Sequence, residues 1–538
     1  MLKQISQPLT ILKGPTYTAR LREICDGELP IQPLEGIRYK RILIPGVTGG
    51  EQHWSMMAFL AQGLRMRGAE VTALLCDSFL PACVQRKVDH VECACTRWCH
   101  RNSVPFAEAM NLPRRWYSEF ISADEKSDCV EQARRVSPID IPTFRWQGIK
   151  LGELITQSVE SAFKVGRFSL DNPAMVASAY NFLTAAMCLY LIGARVLDEL
   201  EIEKVVIENG RHVDWGVIRA VANQRGIPVD ITTIGIRGTS MRFEIDRPPN
   251  PPQSIARWEQ WREQPLTKQQ EHDLEAYLLR REKVAYEYCD ASWHAHLTDP
   301  DEVRRQIGLP RHVQGKVFAM FPNVGFDTGQ TKSSAAAFPC AAEWVIKTVQ
   351  MIRSRPKHHL IIKAHPSEHH RQALDSVLAS VKEHFDPPPA NVHLVAPQTD
   401  LTAHSVIRLA DVVLVYTSTV AAEAAALGKP VILAGGGWHA GRGIAIDVRS
   451  PSQYAQLLES VLSGRCSLRS SREIGRRYAY TLFFREDIPM NHFRLDGFNI
   501  TALPIESMAD LGPGADPSMD SMCRGILFDE PFQNPQTM

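Results

Sequence analysis

The feature that most constrains the fold is an alternation of short apolar runs with helical patterns, which occurs twice along the chain. The first series starts with Arg41–Pro45, a glycine loop and a helical repeat over residues 52–67, and it resumes at Lys204–Glu208. The second series starts at residues 316–321. Such alternation is typical of parallel sheets covered by helices. The sequence therefore predicts an α/β protein with two Rossmann-like doubly wound domains facing across a cleft.

A proline-rich stretch, PPNPPQ, and a charged helical pattern separate the two series. Composition shifts of this kind are typical of a domain boundary. We expect five segments: an N-terminal extension over 1–40, a first domain over 41–250, linker helices over 251–310, a second domain over 311–465, and a C-terminal extension over 466–538 that packs back on the domains.

The charge balance excludes several classes of partner. The chain has 60 Lys and Arg and 60 Asp and Glu residues, so its formal net charge is zero. A nucleic-acid-binding protein or a polybasic membrane protein usually has an excess of positive charge, so we expect no nucleic-acid partner. The first residues lack the apolar segment of a secretion signal, which favours the cytoplasm. Polar residues interrupt the apolar stretch 175–197, which predicts a buried helix.

Hydroxyl residues follow the apolar run 412–416, at the start of an alanine-rich helix. Ligands of open α/β sheets bind beyond the carboxyl ends of strands, and Thr417, Ser418 and Thr419 stand there. A helix N-terminus and hydroxyl donors suit phosphate oxygens. Capping of the helix by Ser418 or Thr419 is an equally good interpretation. Glu423, one turn further, is a candidate acceptor for ribose hydroxyls, with a solvated glutamate as the alternative.

Two further strand ends carry candidate cations. Lys363 and His365 follow one apolar run, and His365 is a candidate for binding a phosphate or assisting its departure, although a packing role is the common alternative. Arg442 lies in a glycine-rich loop after residues 430–434 and adds positive charge there, unless it is a solvated loop arginine.

The candidate bases lie in two glycine-containing loops. Asp327 is suited to orienting an acceptor hydroxyl, and the alternative is an Asx turn. Gly49 and Gly50 allow a ligand to approach the backbone. Glu51 or His53 is a candidate base for an acceptor hydroxyl, although Glu51 is equally well interpreted as a helix cap.

A cysteine-rich stretch raises the question of a structural zinc. Cys83, Cys93, Cys95 and Cys99 are close in sequence but lack the paired CxxC spacing of most zinc sites. Inert thiols are the favoured interpretation, and any zinc here is expected to be structural.

Six short motifs, taken in order, carry a family resemblance: the glycine loop, Asn209-Gly210-Arg211, PNVGFD, KAHPSE, VYTSTVAAEAAALGKPV and MCRGIL. Together they resemble the capsule polysaccharide biosynthesis family, which are glycosyltransferases of the GT-B architecture. The His-Pro pair and the Ser/Thr cluster are also similar to motifs with which bacterial sialyltransferases and Kdo transferases hold the phosphate of a CMP-sugar. The resemblance implies that His365, Ser418 and Thr419 bind the donor phosphate and that Glu423 binds the nucleoside.

The resemblance implies an acceptor domain over 41–250 and a nucleotide-sugar-binding domain over 311–465. The expected donor-binding residues are Lys363, His365, Thr417, Ser418, Thr419, Glu423 and Arg442. The expected catalytic residues are Glu51, His53, Asp327 and His365. The expected acceptor-side loop residues are Gly49, Gly50, Asn209 and Arg211.

The expected activity is transfer of a sugar from a CMP- or UDP-linked donor to a surface polysaccharide, a glycan or a lipid-linked glycan. The resemblance to GT-B enzymes implies that helix ends and side chains, not a metal, offset the charge of the leaving phosphate. The Asp299-Pro-Asp301 pattern, which follows no predicted strand, agrees with this expectation. Peripheral association with a membrane polysaccharide assembly complex is a further expectation. The alternatives are a UDP-sugar 2-epimerase and a non-catalytic nucleotide-sugar-binding component of such a complex.

Overall fold

The structure is a computed structural model that describes residues 15–46, 51–84, 104–246, 253–283, 299–326, 336–370, 373–496 and 499–537. The strands within these ranges are β1 Arg41–Pro45, β2 Glu70–Leu75, β3 Arg114–Trp116, β4 Arg145–Trp146, β5 Ile149–Lys150, β6 Lys204–Glu208, β7 Val229–Ile234, β8 Ser240–Asp246, β9 Val317–Phe321, β10 His359–Lys363, β11 Val392–Val395, β12 Val412–Val415, β13 Val431–Leu433, β14 Ile446–Asp447, β15 Ile488–Pro489, β16 Arg494–Asp496 and β17 Asn499–Ala502.

The α-helices within these ranges are α1 Pro15–Ile24, α2 Glu51–Met66, α3 Val104–Ala109, α4 Ala123–Arg134, α5 Leu151–Phe163, α6 Pro173–Glu199, α7 Val213–Gln224, α8 Gln253–Arg262, α9 Lys268–Lys283, α10 Pro300–Ile307, α11 Ala341–Ile352, α12 Ser367–His370, α13 Val377–His384, α14 Ala403–Leu409, α15 Val420–Ala426, α16 Pro451–Leu462, α17 Arg472–Tyr480 and α18 Pro517–Phe528.

The N-terminal domain is built on a seven-stranded sheet in the order β15-β8-β7-β6-β1-β2-β3. The five strands β7, β6, β1, β2 and β3 are parallel. Strand β8 pairs antiparallel with β7, and β15 pairs antiparallel with β8. The chain builds outward from β1 to β3 and then restarts at β6 on the other side of β1. A change of direction such as that between β1 and β6 marks the ligand crevice at the carboxyl edge of a doubly wound sheet.

The C-terminal domain repeats this plan with six parallel strands in the order β11-β10-β9-β12-β13-β14. The order changes direction between β9 and β12. Both strands are fully buried and read as continuous apolar runs, VFAMF and VVLV, as a parallel sheet covered on both faces requires. The prediction of two doubly wound α/β domains is confirmed.

Helices cover both faces of each sheet. In the N-terminal domain, α2 and α18 pack on one face, and α5, α6 and α7 pack on the other. Helix α6 is long and apolar enough to cross a membrane by length and composition, but 61% of its most apolar window is buried inside the protein. Its small residues, such as Gly193 and Ala186, let it approach α7 closely.

The C-terminal extension contacts both domains. Helix α17 packs on α15 of the C-terminal domain, where Gly475 is required because a Cβ there would lie 2.3 Å from the Ala425 backbone. The chain then passes to the N-terminal domain, where β15 joins the sheet beside β8 and α18 packs on α2. Residues 466–538 thus connect the two domains on one side of the cleft.

Candidate functional site

A hydrogen bond joins the two loops at the point where the C-terminal sheet changes direction. Asn323 follows β9, Thr417 follows β12, and the Asn323 Oδ1 atom accepts the Thr417 backbone N–H at 3.0 Å. Asn323 is only 6% exposed. The bond holds the two strand ends together in the crevice where ligands of doubly wound sheets bind.

The three hydroxyl side chains after β12 differ in their hydrogen bonds. Ser418 Oγ accepts the backbone N–H of Val420 at 3.3 Å, which is the capping interaction considered from the sequence. Thr419 precedes α15 without a side-chain cap, and the buried Oγ1 atom of Thr417 has no hydrogen-bond partner among the described residues. A buried hydroxyl of this kind is expected to bind a partner such as a ligand oxygen.

His365 stands directly beyond β10. Its Nδ1 atom accepts the backbone N–H of Ser367 at 3.1 Å. An imidazole nitrogen that accepts a hydrogen bond carries no proton, so the neutral ring holds its proton on Nε2. His365 is therefore a hydrogen-bond donor through Nε2 at the carboxyl edge of the sheet.

Lys363, the last residue of β10, is a buried cation. It is 5% exposed, and within the described part of the chain its ammonium has no hydrogen-bond or ion-pair partner. Burial lowers the pKa of Lys363 to about 8. A charged group out of water is unfavourable without a counter-charge, so this position favours an anionic ligand.

Glu423, the candidate acceptor for ribose hydroxyls, is buried and paired. Its exposure is 1%, so the alternative of a solvated glutamate does not hold. Its Oε1 atom lies 3.2 Å from Arg281 Nη2, and its Oε2 atom lies 2.7 Å from His404 Nε2. Burial alone raises the pKa of Glu423, but Arg281 and His404 outweigh burial and lower it to about 2. Glu423 therefore fastens α15 to α9 and α14, and its role toward a nucleoside stays a prediction.

The two domains enclose a cleft of about 780 Å³. Asn209 and Arg211, from the loop after β6, line it on the N-terminal side, and Arg442, from the loop after β13, lines it on the other. Asn209 and Gly210 have φ angles of 61° and 65°, which turn the chain sharply at the end of β6. Predicted acceptor-side and donor-side residues thus meet at one cleft.

A polar cluster beside Arg442 was not predicted from the sequence. Arg242 of β8 lies 2.6 Å from Asp487, and the buried His439 ring contacts the Tyr478 hydroxyl through Nδ1 at 3.0 Å. Burial, Arg442 and Arg242 lower the pKa of His439 to about 3, so the ring is neutral. The cluster combines an antiparallel strand with the C-terminal extension, and neither carries a local motif.

The two domains also touch at the loops that follow β9 and β10. The backbone N–H of Leu374 donates to the carbonyl of Lys164 at 3.1 Å. Gly166 and Gly325 lie so close that a Cβ on Gly325 would stand 2.7 Å from the Gly166 Cα atom. Asp375 accepts the backbone N–H of Gly166 beside them. These contacts bring the N-terminal domain onto the PNVGF loop that carries Asn323.

Several predicted residues lie outside the described residues. Gly49, Gly50 and Asp327 are among them, and nothing is described of the Glu51 and His53 side chains. Their roles stay predictions.

The possible structural zinc at the cysteine-rich stretch stays a possibility, because most of its cysteines lie outside the described residues. Cys83 is buried, whereas Cys93, Cys95 and Cys99 lie outside the described residues. Within the ranges that the structure describes, there is no group of three or more His, Cys, Asp or Glu side chains suited to a metal ion. Asp299 caps α10 by accepting the backbone N–H of Glu302 at 2.9 Å, so the Asp-x-Asp pattern starts a helix.

The fold and the cleft define a class: two Rossmann-like domains with a ligand site between the carboxyl edges of their sheets. Residues 335–459, which include β10 to β14, match the family model described as capsule polysaccharide biosynthesis protein. The match falls within the C-terminal domain, and the resemblance of the motifs to that family is confirmed. Comparison with curated protein sequences gives no match.

Solved structures give distant similarities. A β-Kdo 2,7-transferase, KpsC of Thermosulfurimonas dismutans, is 14% identical, with 57% of this chain and 84% of that chain covered and a TM-score of 0.33. The UDP-GlcNAc 2-epimerase of Neisseria meningitidis is 12% identical, with 82% and 94% covered and a TM-score of 0.23. A sucrose-phosphate synthase of Thermosynechococcus elongatus is 14% identical, with 82% and 95% covered and a TM-score of 0.30.

Proposed function

We propose that the protein is a glycosyltransferase that moves a sugar from a CMP- or UDP-linked donor to a surface polysaccharide, a glycan or a lipid-linked glycan. The observation that carries the proposal is the cleft of about 780 Å³, which residues from both carboxyl sheet edges line. A cleft between two domains accommodates two substrates, one on each domain. The capsule family match over 335–459 supports the choice of a saccharide substrate.

In the proposed reaction, an acceptor hydroxyl oxygen forms a bond to the anomeric carbon of the donor sugar. The bond from that carbon to the donor phosphate oxygen breaks, and the nucleotide leaves with the electron pair. The hydroxyl proton passes to a base, for which Glu51, His53 and Asp327 remain the candidates. Charge develops on the departing phosphate, so donors aimed at it stabilise the transition state.

The side chains at the carboxyl edge of the C-terminal sheet suit that phosphate. Lys363 supplies a buried cation, His365 a donor on Nε2, and Ser418 with Thr419 supply hydroxyls at the start of α15. These groups offset the leaving charge without a metal ion, and we propose that the reaction needs none. We also propose that the protein works in the cytoplasm, at the periphery of a membrane polysaccharide assembly complex.

The proposal is tested by melting temperatures of the purified protein with CMP, UDP, CDP or GDP, each with and without EDTA. A ligand at about 100 times its dissociation constant adds about 2.7 kcal/mol of stability. We expect one nucleotide to stabilise the wild type regardless of EDTA, and to stabilise Ser418→Ala and His365→Ala less. Ser354→Ala, in the exposed turn after α11, is the matched control. No stabilisation by any nucleotide would contradict the proposal.

A further inference from the structure

The wall of the cleft beside the C-terminal extension contains an exposed aromatic ring. Trp438 is 42% exposed and lines the cleft, and the guanidinium of Arg242 lies 5.6 Å from the centre of its ring. The flat apolar face of a tryptophan ring suits the ring of a sugar. Trp438 therefore offers a stacking surface inside the cleft.

A buried cation with no carboxylate partner lines the same wall. Arg257 of α8 is 7% exposed, and it donates to the carbonyl oxygens of Phe532 at 2.9 Å and of Phe243 at 3.5 Å. Its Nε atom has no hydrogen-bond partner within the described ranges. Burial lowers the pKa of Arg257, and the carboxylate of Glu486 only partly opposes this effect.

The neighbouring arginine is different because its charge is already compensated. Arg242 lies 2.6 Å from Asp487 and 3.9 Å from Glu486. Among the described residues, no carboxylate oxygen comes within 4.0 Å of the Arg257 guanidinium. Neutral carbonyl acceptors do not compensate a buried charge as an anion does. Arg257 is therefore a buried cation on this wall without an ion-pair partner among the described residues.

The two groups are held on one rigid frame. Trp258, which is 1% exposed, donates from Nε1 to the carbonyl oxygen of Arg442 at 3.0 Å and so joins α8 to the loop that carries Trp438. Arg442 in turn donates from Nε to the carbonyl oxygen of Trp438 at 3.1 Å. These bonds fix the positions of the ring and the guanidinium before any ligand arrives, which lowers the entropic cost of binding.

The wall is separate from the groups that suit the donor phosphate. Lys363, His365 and Ser418 do not line this cleft, whereas Arg442 of the C-terminal domain and Asn209 and Arg211 of the N-terminal domain do. The wall thus lies beside the predicted acceptor-side residues and away from the groups proposed for the donor phosphate, and its occupant is assigned to the acceptor.

We propose that Trp438 and Arg257 form a subsite for an anionic saccharide unit of the acceptor, with its ring on Trp438 and its carboxylate or phosphate at Arg257. This inference rests on the proposed glycosyl transfer. Carboxylate and phosphate share the chemistry that a guanidinium recognises, namely anionic oxygens in a planar pair.

The test measures dissociation constants for three probes on the full chain at constant ionic strength: methyl glucuronide, glucose 6-phosphate and methyl glucoside. We expect at least one anionic probe to bind about tenfold more tightly than the neutral glucoside, which corresponds to about 1.4 kcal/mol. Arg257→Gln should remove this preference, and Trp438→Ala should weaken all binding. If only the glucuronide binds more tightly, the anionic group of the ligand is a carboxylate. If only glucose 6-phosphate binds more tightly, that group is a phosphate.

Arg449→Gln, at an exposed position outside the cleft, is the matched control and should bind as the wild type does. Trp438 is exposed, so Trp438→Ala tests the subsite even where Arg257→Gln does not fold. Equal binding of neutral and anionic probes, or no binding of any of them, would overturn the inference. Nucleotide stabilisation measured on the same samples reports on the proposed function independently, so the two failures are distinguishable.

Discussion

Asn323 and Thr417 are joined across the point where the C-terminal sheet changes direction, by a hydrogen bond of 3.0 Å from the Thr417 backbone N–H to Asn323 Oδ1. Thr417 is followed by the two hydroxyl residues proposed to contact the donor phosphate. Asn323 is therefore a positioning residue, since it holds the backbone from which those hydroxyls project.

Replacing Asn323 by Ala removes one buried hydrogen bond, worth about 1 kcal/mol. We expect nucleotide affinity to fall about fivefold, as measured by calorimetric titration. Asn391 is the matched control because it is equally buried, at the opposite edge of the same sheet, where it donates to the carbonyl oxygens of Ile352 and His358. Asn391→Ala should lower stability and leave nucleotide affinity unchanged. Equal affinity losses in both variants would contradict the positioning role.

Replacing Lys363 by Met should stabilise the protein and weaken nucleotide binding. The folded-state pKa of about 8 lies below the ordinary value of 10.5, so folding is penalised while the ammonium is charged. The penalty is full below pH 8, where the variant should be more stable by roughly 2–3 kcal/mol, and it should vanish as pH rises past 10.5. Urea unfolding at pH 7 and pH 10.5 checks this.

The control for Lys363→Met is Lys357→Met, at an exposed position just before β10. It should change neither urea stability nor nucleotide affinity. A destabilised Lys363→Met protein that binds nucleotide normally would argue against a ligand-facing ammonium.

Replacing Glu423 by Gln should destabilise the protein by about 3 kcal/mol at pH 7, because Arg281 loses its buried counter-charge. The pKa of Glu423 is lowered to about 2, so its stabilising effect is present above its ordinary pKa of 4.5 and is lost as pH falls toward 2. Urea unfolding should therefore show a smaller difference between wild type and variant at pH 3. The double variant Glu423→Gln with Arg281→Met should recover part of the lost stability. If wild type and Glu423→Gln differ in stability as much at pH 3 as at pH 7, the ion pair is not the cause.

Replacing Glu368 by Gln should make stability less dependent on pH near neutrality. Burial raises the pKa of Glu368 to about 7, although its Oε2 atom accepts a hydrogen bond from Ser376 at 3.0 Å. A raised carboxyl pKa means that the folded state favours the protonated form, so stability falls as pH rises from 4.5 through 7. The variant should be more stable than the wild type at pH 8 and similar at pH 4.5. Glu383→Gln, at an exposed position, retains Glu368 and should therefore keep the wild-type dependence of stability on pH.

The strand ends of the C-terminal domain could be predicted because their signal is local. Each strand there is a short, continuous apolar run followed by polar residues, and the predicted run over 412–416 is observed as Val412–Val415. Asn323 follows β9 in the same way, inside the quoted PNVGFD motif. Applying the strand-end rule to every residue of that motif would have identified it.

The role of Glu423 could not be predicted because its partners are distant in sequence. Arg281 is 142 positions away, and His404 belongs to the helix before β12. The Arg257 and Trp438 wall was missed for a related reason. It forms only where α8 meets the glycine-rich loop after β13, and the pattern of that loop pointed to Arg442 rather than to Trp438.

Nucleotide release from a panel of CMP-, UDP- and GDP-sugars, followed by mass spectrometry with and without EDTA, tests glycosyl transfer most directly. We predict that the wild type releases the nucleotide from a CMP- or UDP-sugar, that EDTA does not change the rate, and that His365→Ala lowers the rate at least about tenfold while remaining folded. A folded wild-type protein that releases no nucleotide from any of these sugars, even with saccharide acceptors present, would contradict the proposal.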